Sequence, residues 1–136
     1  MEYIFERKIN YYETDKMGVV HHSNYIRYLE EARCELLNSI GMPFALLEEK
    51  GITIPVLGVN CEYKHHVTFD DVIVIKVSMK EYTGVRITMQ YNVIEKKTGE
   101  TVLLAQTKHC FTNKELRPIN LKKYEPEFNK KLEKLL

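Results

Sequence analysis

Hydrophobic positions change their period once along the main body of this chain, and the change separates a helical stretch from a sheet-forming one. Tyr25, Ile26, Leu29, Ala32, Leu36, Leu37 and Ile40 recur at helical spacing, which is the stripe an amphipathic helix lays on a core. Ser23 or Asn24 can cap its start, and Gly41 can close it by taking a left-handed conformation. Pro43 opens a shorter amphipathic stretch, PFALLEEKG, which Gly51 ends. From Ile52 onward the pattern predicts four strands, Ile52 to Lys64, Val72 to Tyr82, Val85 to Ile94 and Thr101 to Thr112.

Ile73, Ile75, Val77 and Met79 share one face of their strand, and Ile87, Met89, Tyr91 and Val93 share one face of the next. The YTG and KKTGE connections are hairpin-short, so the neighbours they join run antiparallel. Ahead of the helix, Tyr3 to Tyr11 reads as an extended strand whose imperfect alternation suits a sheet edge. Phe128, Leu132 and Leu135 predict a C-terminal helix at 126–136. These elements make one α+β domain over 1–136, with an antiparallel sheet that buries its apolar face on the long early helix.

Charge narrows the function. Lys and Arg total 20 against 19 acidic residues, a net charge of +1, so nothing supports broad attraction to nucleic acid or anionic membrane. Cys34, Cys61 and Cys110 are an odd set without CxxC spacing, which fits packing residues in a reducing compartment. No stretch resembles a signal peptide or a membrane span, so the expectation is a soluble, cytoplasmic protein.

The candidate chemistry is concentrated in YYETDKMGVVHHSNY, immediately before the long helix. Asp15 is an acidic group placed near a helix N-terminus, where unpaired backbone N–H groups stabilise an oxygen gaining negative charge. The plain alternative is a carboxylate capping its own turn. His22 can tune such a carboxylate or sit as a backbone-bonded residue at the helix start; Tyr11 can donate a hydrogen bond or simply pack. Gly18 marks a loop that turns sharply or admits a ligand to the backbone. Neither His21–His22 nor His65–His66 has the spacing that gathers three or four metal ligands, so no metal is expected.

YYETDKMGVVHHSNYIRYLEEAR, followed by EYKHHVTFDDVIVIKV and HCFTNKELRPINL, resembles the hot-dog-fold acyl-CoA thioesterases of the 4-hydroxybenzoyl-CoA thioesterase-like group, near the Tol–Pal-associated branch. The resemblance implies a curved antiparallel sheet around a long central helix. It implies hydrolysis of an acyl-CoA to a carboxylic acid and free CoA, with CoA entering as part of the substrate and no cofactor. Asp15 then matches the catalytic carboxylate, as nucleophile or general base, and His22 and Tyr11 match the histidine and tyrosine near it. Gly18 and Val19 fall in the active-site loop, and the His22 N–H falls near the thioester oxygen. A homodimer, or a tetramer of paired dimers, follows, with the site between subunits. His66 and Lys122 depart from the pattern where proline is common, which bears on loop shape and phosphate contacts.

Around that motif, Asn24 can hold the active-site loop and Tyr25 can line an acyl pocket. Lys64, Arg86, Lys108 and Arg117 are candidate partners of the CoA phosphates. Val20, Leu29, Ile54, Val56 and Val59 add apolar lining. The competing readings are a hot-dog dehydratase or hydratase and a non-catalytic acyl-CoA-binding protein.

Overall fold

The computed structural model describes residues 1–136. Its strands are β1 (Glu2–Lys8), β2 (Val56–Tyr63), β3 (Val72–Tyr82), β4 (Arg86–Glu95) and β5 (Thr101–Cys110). Its helices are α1 (His22–Ser39), α2 (Phe44–Glu49), α3 (Leu121–Tyr124) and α4 (Pro126–Glu133). The strands form one sheet in the order β1-β3-β4-β5-β2, every neighbouring pair antiparallel. A five-stranded sheet wrapped on α1 makes this a single α+β domain of the hot-dog type. No helix is long and apolar enough to cross a membrane.

Side-chain parity explains the packing. Ile73, Ile75 and Val77 of β3 face inward with Tyr91 and Val93 of β4 and Leu103 of β5, and α1 buries Tyr28, Leu29, Ala32 and Leu36 against that face. Each large apolar side chain so removed from water stabilises the fold by about 1.5–3 kcal/mol. Ile26, which the helical stripe of the sequence includes, stays 43% exposed. The C-terminal segment closes the other end through Phe128, Leu132 and Leu135. It approaches the β3–β4 turn so tightly that a Cβ on Gly84 would sit 2.5 Å from Asn120 Oδ1.

Several boundaries depart from the sequence reading. The first strand stops at Lys8, and Tyr11–Glu13 forms a 3-10 turn because Asn10 N–H is drawn to Glu13 Oε1 at 2.8 Å. Helix α1 begins at His22 and is capped by His21, whose Nδ1 accepts the Ser23 N–H at 3.2 Å; Ser23 and Asn24 lie inside the first turn. Strand β2 begins at Val56, since Pro55 has no N–H to donate and Thr53 makes an isolated bridge to Thr112. The last helix ends at Glu133, although Leu135 beyond it remains buried.

Strand β2 lies at one edge of the sheet. Val59, Cys61 and Tyr63 pair with Thr107, Ala105 and Leu103 and share their inward parity. Yet Val59 and Tyr63 are exposed, as are Val56 and Leu57 beside them, although Tyr63 Oη donates to the His22 carbonyl of α1 at 3.3 Å.

Candidate active site

The loop before α1 is a short hairpin built on Asp15. Thr14 bridges Val20, Asp15 N–H donates to the Val19 carbonyl at 2.8 Å, and Gly18 N–H donates to the Asp15 carbonyl at 2.9 Å. Gly18 makes the reversal at φ +83°, a conformation that a side chain disfavours. Its carbonyl accepts from Thr68 Oγ1 at 2.6 Å, and Val20 N–H donates to the Val67 carbonyl at 2.9 Å. The loop is therefore tied through its second half to the segment leading into β3.

Beneath the loop lies a charged cluster that the sequence reading missed. Arg7 pairs with the Glu13 carboxylate and also reaches Glu31, with Nε donating to Oε1 at 3.0 Å. Its guanidinium lies 4.4 Å above the Tyr28 ring. Burial alone would raise the Glu13 carboxyl, but hydrogen bonds from Arg7 and from Asn10 N–H hold it below its ordinary value. The Glu13 carbonyl accepts from Asn24 Nδ2 at 2.8 Å and from His21 N–H at 3.0 Å. Arg7 and Glu13 thereby fix the distance between the Asp15 loop and the start of α1.

Asp15 is half-buried. One carboxylate oxygen, Oδ1, accepts the Met17 N–H at 2.8 Å, as the turn-capping alternative requires, while Oδ2 accepts no hydrogen bond within the chain. The carboxylate opens into a cleft of ≈ 380 Å³ shared with Val19, His22, Tyr25, Tyr63 and Lys64. The backbone N–H of His22, at the first position of α1, has no acceptor in the protein. The His22 imidazole stacks on His21 with ring centroids 4.3 Å apart. Tyr25 meets Tyr63 edge-on at 5.6 Å, and burial, then the charge of Tyr63, pushes the Tyr25 phenol up to about 12. Tyr25 thus stays protonated at neutral pH. This site offers a carboxylate with a free oxygen, an unsatisfied N–H and a mixed aromatic and aliphatic wall.

Of the other candidate catalytic and phosphate-contacting residues from the sequence, only Lys64 lines the cleft. Tyr11 is 75% exposed and packs edge-on against Phe69 at 5.2 Å. Asn24 is buried behind the cleft, where its Oδ1 accepts from Arg27 at 3.1 Å. Lys64 lines the cleft and pairs with Glu62 at 3.3 Å. Arg86 lines a different depression near the other end of the strands, with Lys108 and Leu57. His65, Glu95 and Glu100 bring ligand-type atoms within 4.8 Å of one another. Internal pairing accounts for that trio: His65 Nε2 lies 2.8 Å from Glu100, and Glu95 accepts from Thr98.

Comparison with known proteins identifies the family. The family model of the thioesterase-like superfamily matches residues 9–132, which takes in the loop, α1 and the whole sheet after β1. An Aquifex aeolicus (strain VF5) protein provisionally named an esterase is 41% identical over 110 residues, covering 81% of this chain and 84% of its own. A Bacillus subtilis (strain 168) protein provisionally named acyl-CoA thioesterase YneP is 30% identical over 130 residues, covering 95% and 94%. The crystal structure of DHNA-CoA thioesterase from Staphylococcus aureus superposes with a TM-score of 0.93 at 30% identity, over 98% of this chain and 89% of that one.

Proposed function

The chain belongs to the thioesterase-like superfamily, and from that membership we propose that it hydrolyses an acyl-CoA thioester to a carboxylic acid and free CoA. The observation that carries the proposal is the placement of Asp15. Its half-buried carboxylate keeps one oxygen free in the cleft where the unsatisfied His22 N–H begins α1. The relatives whose names specify CoA thioesters support the substrate class.

A thioester carbonyl is electrophilic, and its thiolate leaves with little acid assistance because a thiol has a pKa near about 8.5. By one route an Asp15 oxygen attacks the carbonyl carbon and expels the CoA thiolate; water then cleaves the resulting anhydride and restores the carboxylate. By the other route Asp15 takes a proton from a water that attacks directly. Both routes put negative charge on the carbonyl oxygen, and the His22 N–H with the positive end of α1 stabilises it there. The His22 imidazole orients the thioester, while Gly18 and Val19 shape the loop and Tyr25 lines the acyl side. Asn24 holds the loop from behind. Tyr11 acts at the rim and Lys64 contacts the CoA phosphates, whereas Arg86, in the other depression, is too far from the Asp15 cleft of its own chain to join it there.

The assembly in this account is a homodimer, able to pair into a tetramer. Strand β2 leaves a row of backbone groups unpaired with Val56, Leu57 and Val59 exposed beside it, and a second copy covers both. Three free cysteines support work in the reducing cytoplasm. Free-thiol release from a panel of aliphatic, branched and aromatic acyl-CoAs tests the reaction class. Turnover of at least one acyl group supports it, and no turnover of any by folded protein refutes it.

A further inference from the structure

On the face of the sheet turned away from α1, charge is distributed unevenly. At one edge, β1 directs Glu2, Glu6 and Lys8 outward, with Ile4 among them, and all four are exposed. That is the composition of a strand that faces water. The three central strands differ. Across β3, β4 and β5 the outward residues pair in rows, the first of them Ser78, Gln90 and Gln106. Lys76, Asn92 and Leu104 form the next row, and Val74, Ile94 and Thr101 the one after.

Only Lys76 among these nine positions is charged, although charged residues make up 29% of the chain. Lys76 forms no ion pair, and Leu104 is 38% exposed. A centre depleted of charge inside a charged rim is the composition of a protein interface.

The first row continues onto β2, where Asn60 pairs with Gln106. Strand β2 is the edge that joins two chains in the homodimer proposed above. Two copies of one edge strand related by a two-fold axis run antiparallel and keep their inward residues on one side of the sheet. The axis therefore lies level with a residue near the middle of β2, Val59 or Asn60, and not between them. Level with Asn60, the rows of the two chains join into one line of uncharged polar side chains.

Size decides how many chains the face needs. Five strands about 4.8 Å apart and roughly eight residues long, at about 3.3 Å per residue, cover roughly 600 Å². A stable interface takes about 800 Å² from each partner. One chain's face falls short of that, and the roughly 1,200 Å² of a β2-paired dimer exceeds it.

We propose that two β2-paired dimers stack back to back through these faces, with the amide row along the two-fold axis of the stack. Gln90 then meets the partner subunit's Gln90. An amide carries donors and an acceptor and so pairs with its own copy, whereas a charge repels its copy. The stack leaves α1 and the Asp15 cleft on the outside of the assembly. It rests on the homodimer of the proposed function and on none of its chemistry.

Sedimentation velocity of the purified protein, with no substrate present, tests the stack. Wild type sediments as a tetramer. Gln90→Lys and Gln90→Glu, each of which sets like charges against one another, fall to half that mass. Mixing the two variants restores the tetramer, because lysine then faces glutamate, and this recovery requires that both are folded. Wild-type dimers would overturn the stack and leave the β2 contact standing; wild-type monomers would overturn both. Tetramers in each variant alone, or no tetramer on mixing, would overturn the stack as well.

Discussion

Acidification should charge His109 and thereby destabilise the fold by an amount the structure specifies. Burial, then the positive charge of Arg33, hold the imidazole down from 6.5 to about 4, against an opposing contribution from the Ile54 backbone. A histidine whose pKa is lowered by folding stabilises the native state fully above its unfolded value. The contribution is lost as pH falls from about 6.5 toward 4, because the unfolded chain takes up the proton first. That interval, at roughly 1.4 kcal/mol per pH unit, amounts to roughly 3 kcal/mol. His109→Gln keeps a polar group within reach of Thr107 but cannot titrate. Urea unfolding of wild type and His109→Gln at pH 7 and pH 4 gives two stability differences, and their difference removes the carboxylates common to both proteins. The account predicts that wild type loses roughly 3 kcal/mol more than the variant. Parallel loss in the two proteins would refute a neutral, buried His109.

Arg7→Met strands the Glu13 carboxylate, whose side chain is 7% exposed, and should cost about 3 kcal/mol or more in urea unfolding. Because Glu13 is held below its ordinary 4.5, the stabilisation it gives is present above that pH and fades as pH falls through its folded value. Gly18→Ala meets no atom within 4 Å, so its cost is the left-handed backbone, about 1–2 kcal/mol; thermal unfolding reads that cost, and thiol release should fall as the loop shifts. Val59→Lys places a charge on the exposed β2 edge, and sedimentation should show dimers giving way to monomers with little change in monomer fold.

The strands from Val72 to Cys110 were legible because Ile73 to Met79 and Ile87 to Val93 carry an apolar residue at every second position and the turns carry glycine at the reversals. Their register and antiparallel order follow from connections too short to cross over. Edges were harder. Tyr11 and Tyr12 are good strand residues locally, and what bends them into a 3-10 turn is a contact to Glu13 that propensity does not contain. The His21 cap escaped notice because histidine is an unusual capping residue and Ser23 and Asn24 stood beside it.

In the site, the motif drew attention to Asp15 and His22 but not to the ion pairs beneath them. Arg7 and Glu31 are 24 residues apart, and their meeting depends on α1 crossing β1. His109 did carry a signal, since it shares the parity of Leu103, Ala105 and Thr107 on one strand. A histidine on an apolar face had to be either partnered or functional, and the sequence could not supply the Arg33–Tyr91–Thr107 chain that meets its Nε2.

The central claim is that Asp15 performs the chemistry at the cleft beside α1. Free-thiol release should be compared for wild type and Asp15→Asn on the best acyl-CoA of the panel, with folding and assembly of both checked. The account predicts a fall in kcat of about a hundredfold or more, with unfolding behaviour little changed, because asparagine still accepts the Met17 N–H that Asp15 Oδ1 accepts. Equal turnover in the two proteins would contradict it and return Asp15 to the role of a turn cap.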